Sequence, residues 1–377
     1  MKSKSEQNVL VLQGGGALGA YQAGAFEALF SSERRTEWVA GVSIGAINAA
    51  LIAGNPPECR VERLRAFWDL VSSDSAAMSF LAGLMPRGLY NEMSASATMA
   101  QGVPGFFSPR FPPASMMPAG SPGSSSFYDT SALRETLSEL VDFDYLNAGP
   151  VRICVGAVNV ETGNMIWFDS AKQTITPEHI MASGALPPGF PAIEIDGQFY
   201  WDGGLVSNTP LQYVYDERPD EDLCIFQVDL FSARGKMPTS IWDIEARTKD
   251  IRFSSRTRLN TDLMCSMHVA HGAGKRLYDK LPPELRNDPD ARALLSNVHD
   301  RNITIAHLIY RQSRHETHSK DYEFSRSSVH DHWQAGKHDV TTTLNHPDWL
   351  AHHADDRLHD PIRVFDLTDA RAKNHSA

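Results

Sequence analysis

The chain is poor in cysteine, with four in 377 residues. Cys59, Cys154, Cys224 and Cys265 are scattered, with no C-x-x-C pair, so a disulfide framework is not expected. Cys154 and Cys224 fall inside apolar, strand-like runs, where cysteine acts as a small buried hydrophobe. Basic charge is in deficit. Lys and Arg number 35 against 46 Asp and Glu, a net charge of −11, which argues against a nucleic-acid partner or an anionic membrane surface. No run approaches the roughly 20 apolar residues of a membrane span, and the polar start Met1–Gln7 lacks the apolar region of a signal peptide. The expected compartment is the cytoplasm.

What the chain does have is an α/β pattern. Asn8–Gln13 reads as a buried strand, Ala17–Phe30 as a helix, Trp38–Val42 as a second strand and Ser43–Ala53 as a second helix. Such a strand–helix–strand–helix start points to a parallel sheet. Arg60–Val71 follows as an amphipathic helix. From 72 to 130 the composition shifts to Ser, Pro, Gly, Met and Phe, which predicts a lid-like insertion with little regular structure. Its flexible Met and Phe side chains suit an acyl group or a transient lipid-interface contact, or else simply make a disordered loop. Patterning resumes with a helix at 131–140, a strand at 151–160, and two hairpins, 151–168 and 192–201. Another strand covers 223–230. Beyond about 235 longer helices are expected, including 241–281 with Leu259, Leu263 and Met267 on one stripe, and strands at 302–310 and 362–365.

The densest chemical signal is Gly41-Val42-Ser43-Ile44-Gly45 at a strand-to-helix turn. Glycines at that spacing let the chain bend sharply and project the serine hydroxyl. Just upstream runs Gly14-Gly15-Gly16-Ala17-Leu18-Gly19. Gly14, Gly16 and Gly19 satisfy G-x-G-x-x-G, the dinucleotide fingerprint, but the second strand ends in Gly41-Val42-Ser43 rather than the acidic residue a ribose needs. An oxyanion loop needs only backbone N–H groups in close approach.

A nucleophilic serine needs a base. No histidine precedes His179, and Ser43 comes too early for the α/β-hydrolase order. His179, His268, His271 and His307 remain on count alone. Asp202, in Trp201-Asp202-Gly203-Gly204, can be a buried base or ordinary turn chemistry.

The chain from Val9 to about Leu230 resembles the patatin-like phospholipase family. The resemblance rests on Gly14–Gly19, Gly41–Gly45, Ala182-Ser183-Gly184-Ala185-Leu186-Pro187 and Asp202-Gly203-Gly204. It implies a three-layer α/β/α fold and a Ser–Asp dyad, with Ser43 as nucleophile and Asp202 as base. Gly14, Gly15, Gly16 and Ala17 would form the oxyanion loop, and Gly41 and Gly45 would frame the elbow. Gln13 stands where many members carry Asp, and Leu18 where they carry a basic residue. The region from 236 to 377 resembles the additional C-terminal domain of some bacterial members.

The expected architecture is therefore a hydrolase domain over 8–235 followed by a mainly helical accessory region. The expected activity is acyl-ester or lipid hydrolysis through an acyl-enzyme, with no cofactor. An acyltransferase using the same dyad, a dinucleotide enzyme and a non-catalytic lipid-binding protein are the alternatives. The late histidines, His315, His318, His330, His332, His338, His352 and His353, read as a metal site only through His315-x-x-His318. Their irregular spacing favours a solvated surface, and no metal is assigned.

Overall fold

The computed structural model describes residues 6–32, 34–72, 84–121, 123–217, 221–296, 302–312, 316–354 and 362–367. Its centre is a nine-stranded sheet. In chain order the strands are β1 (Glu6–Leu12), β2 (Trp38–Val42), β3 (Ser108–Pro109), β4 (Tyr128–Asp129), β5 (Arg152–Asn159), β6 (Met165–Asp169), β7 (Ile193–Ile195), β8 (Gln198–Asp202), β9 (Asp222–Asp229), β10 (Ile303–Ile309) and β11 (Ile362–Phe365). The sheet runs β11-β10-β9-β1-β2-β5-β8-β7, with β6 on the other side of β5, while β3 and β4 form a separate pair. From β11 to β5 all pairings are parallel; β6, β7 and β8 pair antiparallel.

Apolar alternation along the central strands serves two layers of helices. Leu10 and Leu12 of β1 face one core with α1 (Gly19–Ser31), α2 (Ile44–Ala53) and α3 (Arg60–Val71). Val9 and Val11 face a second core with Leu211, Val214 and Met264 of the 211–216 and 241–278 helices. The fold is thus a three-layer α/β arrangement, as the family resemblance implies, around the parallel strands that the pattern predicts.

The region after 235 is mainly helical, over 241–278, 289–296, 326–344 and 347–354, and its β10 and β11 extend the sheet beyond β9. The 326–344 helix also lies directly on α1. A side chain at Gly24 would meet the Trp333 carbonyl at 1.9 Å, and one at Gly336 would meet the Tyr21 carbonyl at 2.0 Å. Each glycine is required because a Cβ there would collide with a backbone carbonyl of the facing helix. Around the crossing, Tyr21 donates to Asp339 at 2.7 Å, and Glu27 accepts from Lys337 at 3.0 Å and Arg65 at 2.9 Å.

One expectation needs correction. The insertion, expected to carry little regular structure, holds a 15-residue helix at Arg87–Gln101. Its buried face is Tyr90, Asn91, Ser94, Ala95 and Thr98, mostly polar or small, so no apolar stripe announces it. Phe106 and Phe107 of the same insertion are buried against Phe190 at 5.8 and 5.1 Å. In the 241–278 helix, Leu259, Leu263 and Met267 share a stripe as expected, and it faces solvent, while Met264 and His268 face inward. Among the described residues no helix is long and apolar enough to cross a membrane.

Candidate active site

Ser43 sits between the end of β2 and the start of α2, with φ 56° and ψ −125°. A non-glycine residue in that region is strained and persists only where its surroundings hold it. Here both flanking glycines are enforced by contact. A side chain at Gly41 would strike the Gly45 carbonyl at 2.3 Å, and one at Gly45 would strike the Leu12 carbonyl at 2.4 Å. The Ser43 amide is anchored to the carbonyl and the hydroxyl of Ser183, at 3.1 and 3.0 Å. Ser183 in turn donates to the Gly156 carbonyl at 2.7 Å. Placed at the N-terminus of α2, Ser43 lies where the helix dipole favours negative charge.

Asp202 ends β8, whose pairing with Ala157 of β5 brings it to the same end of the sheet as Ser43. It is 2% exposed. The Ser43 side chain lies near enough to its carboxylate to favour the charged form, and the Gly204 amide donates to it at 2.7 Å. Burial pushes its carboxyl up to about 6, against these two groups that favour the charged form. The Asp202 amide donates to the Ala185 carbonyl at 3.0 Å. The Ser183–Ala185 stretch therefore holds nucleophile and carboxylate at once, which explains why Ala182–Pro187 stands out in the sequence.

The glycine loop lies against the serine. A side chain at Gly14 would come within 3.0 Å of the Ser43 Cβ and 2.3 Å of the Asn208 Oδ1. Of the four loop residues expected to offer amides, two are already engaged. Gly14 N–H donates to the Asn208 carbonyl at 3.1 Å, and Ala17 N–H to the Asp321 carbonyl at 2.8 Å. Gly15 and Gly16 are half-exposed, and among the described residues nothing accepts from their amides. Gly16 has φ 56°, and a side chain there would strike the Asp321 carbonyl at 2.0 Å.

Asn208 escaped the sequence reading. Its Nδ2 donates to the Gly14 carbonyl at 2.8 Å, so both faces of the Gly14 peptide are tied to one residue. Only its position six residues after Asp202 could have drawn attention to it. Gln13 is also accounted for. Its carboxamide oxygen accepts from the Leu230 and Phe231 amides at 2.6 and 3.1 Å, while Nε2 donates to Thr209 at 3.0 Å and the Phe253 carbonyl at 3.3 Å. A carboxylate could accept from those amides but could not donate to the carbonyl. Leu18 is fully buried.

The histidines go elsewhere. His179 accepts from the Thr176 amide at 3.0 Å and contacts Gln173, and burial holds its pKa below the usual value. His307 is paired with Asp229, and His268 lies against Tyr215. Among the later ones, His332 meets Glu316 at 2.7 Å, His352 meets Thr304 at 2.9 Å, and His318 stacks on Trp242. His315 lies outside the described residues, so the His315–His318 pair does too. Among the described residues no group of three or more His, Cys, Asp or Glu is placed to hold a metal ion.

Two solved structures resemble the chain weakly: VipD from Legionella pneumophila (12% identity, TM-score 0.39) and the type III effector protein ExoU (17%, TM-score 0.27). Each is covered over 89% of this chain, which spans 66% of the first and 54% of the second. A complex of SpcU with ExoU from Pseudomonas aeruginosa gives 15% identity and a TM-score of 0.27, over 93% of this chain and 73% of that one. No curated protein sequence matches. Residues 251–356 match a family model described as patatin phospholipase, and residues 10–215 match the model of patatin-like phospholipase, which takes in Ser43, Asp202 and the glycine loop. The chain belongs to the patatin-like phospholipase family.

Proposed function

We propose that the protein is a serine acyl-ester hydrolase acting through a Ser43–Asp202 dyad, with residues 8–235 as the hydrolase core. The observation that carries the reading is the Ser43 side chain, held at a strained elbow beside a buried carboxylate whose charged form it favours. Burial makes Asp202 a stronger base than an exposed aspartate while leaving it ionised near neutral pH.

In the first step Ser43 Oγ attacks the ester carbonyl and its proton passes to Asp202. The oxygen that gains charge lies toward the Gly15 and Gly16 amides, each donor of this kind being worth about 3 kcal/mol in other hydrolases. Collapse expels the alcohol, which takes the proton from Asp202 and leaves an acyl-Ser43 ester. Water then attacks that ester as Asp202 accepts its proton. The acid leaves, and the proton returns to Ser43.

A fluorophosphonate probe followed by peptide mass spectrometry tests the reading. The expected adduct is on Ser43, and Ser43→Ala should carry none. Labelling at a different serine, or none on folded protein, would overturn it.

A further inference from the structure

The insertion carries a short arm whose composition and exposure are at odds with the rest of the surface. Charged residues make up 21% of the chain, yet from Phe111 to Phe127 there are none. Phe111 is 97% exposed, Met116 76% and Phe127 60%. Isolated apolar side chains on a surface need no explanation, but a charge-free segment with these at its tip does.

The arm is held by built contacts. β3 and β4 pair at its root, and Arg110 N–H donates to the Phe127 carbonyl at 3.1 Å. The two charges at the root neutralise each other, since Arg110 meets Asp129 at 2.9 Å, and Arg110 also donates to Ser126 at 2.9 Å. Below the root, the Phe127 and Tyr128 amides donate to the carbonyls of Pro188 and Gly189 at 3.0 and 2.9 Å. Those residues directly follow the Ser183–Leu186 stretch that holds Ser43, and Leu186 is itself exposed. The arm therefore springs from the rim of the candidate active site.

We propose that this arm docks the protein on the surface of an uncharged or zwitterionic lipid aggregate, with Phe111 and Met116 entering its apolar layer. The charge pattern selects that occupant. An anionic surface would meet a chain of net charge −11 and an arm with no free cation. A neutral apolar layer exacts no charge desolvation from the arm and removes its phenylalanine and methionine from water. The proposal rests on the lipid-hydrolase reading for its biological sense, but its test does not require turnover.

The test is flotation with phosphatidylcholine vesicles, using wild type, Ser43→Ala and the double variant Phe111→Ser/Met116→Ser, alongside hydrolysis of a soluble short-chain nitrophenyl ester. Wild type and Ser43→Ala should float equally. The double variant should partition at least about tenfold more weakly, while melting at the wild-type temperature, which reports that it is folded, and turning over the soluble ester within about twofold of wild type. Replacing part of the phosphatidylcholine with phosphatidylglycerol should not strengthen binding. Equal flotation of the double variant overturns the proposal, as does binding that rises with anionic lipid and falls with salt. A wild-type dimer that the double variant converts to monomer, with flotation unchanged, assigns the arm to a second copy instead. Absence of Ser43 labelling would defeat the hydrolase reading and leave the flotation result standing.

Discussion

The Ala17 amide donates to the Asp321 carbonyl at 2.8 Å, so the turn that closes the glycine loop is fastened to the far end of the chain. Asp321 is itself fixed by Lys249, whose ammonium meets its carboxylate at 2.8 and 3.1 Å and the His318 carbonyl at 3.0 Å. The neighbouring Lys320 pairs with Asp250 at 2.7 Å in a buried contact. Two ion pairs from the 241–278 helix thus set the carbonyl that shapes Gly16 and Ala17.

Lys249→Ala is expected to act on rate more than on stability. The Lys249–Asp321 pair is part-exposed, so its loss should cost no more than about 1 kcal/mol. A loop displaced by a fraction of an ångström should still lower kcat by roughly tenfold, with KM changed less than about twofold because the displaced amides act on the transition state. Lys249→Arg should recover part of the rate. Steady-state kinetics with thermal melts on the same preparations check this, and an unchanged kcat in the alanine variant would detach the strap from the chemistry.

The buried Asp202 makes two pH predictions with opposite signs. Its carboxyl sits near 6 in the folded chain, above the ordinary value of 3.8. As base it must be ionised, so kcat/KM should rise with pH through an acid limb near 6 and level off above it. Stability runs the other way. Between about pH 4 and 6 the native state holds a proton that the unfolded chain has released, so stability falls as pH rises through that window and stays lowered above it, by roughly 3 kcal/mol at most. Asp202→Asn removes that charge while its amide oxygen can still accept from Gly204. The variant should lose at least about a thousandfold in kcat, yet melt higher than wild type at pH 8 and level with it at pH 4. An acid limb near pH 4, or an asparagine variant that melts lower at pH 8, would contradict this account.

The parts of the site read from sequence are those whose residue types the geometry demands. Gly41 and Gly45 are required by carbonyls 2.3–2.4 Å from any added side chain, and Asp202 follows a hairpin whose turn residues, Asp196 and Gly197, both adopt positive φ. Strands β1, β2, β5 and β9 are legible because burial on both faces forces near-continuous apolar runs. What stayed hidden depends on backbone or on small polar groups. The Asp321 contact is made by a carbonyl that any residue carries. The 87–101 helix buries Asn91, Ser94 and Thr98, which leave no periodic apolar trace. Gly24 and Gly336, which face the Trp333 and Tyr21 carbonyls, mean nothing until their helices meet.

Asn208 separates positioning from electrostatics at the dyad. It clamps Gly14 from both sides, and its Oδ1 and the Asp202 Oδ1 both lie within 3.0 Å of where a Gly204 side chain would begin. The two oxygens are therefore within about 6 Å of each other, a range over which a second carboxylate would repel the first. Asn208→Ala removes the clamp without adding charge, so kcat should fall by roughly ten- to a hundredfold with the acid limb still near pH 6. Asn208→Asp loses the donor to Gly14 and adds a negative charge, so it should slow the reaction and also carry the acid limb to higher pH, because Asp202 then gives up its proton less readily. The pH–rate profiles of the two variants decide the matter. Coincident acid limbs would mean that Asn208 acts on Gly14 alone, whereas an upward shift confined to the aspartate variant identifies the group titrating near 6 as Asp202.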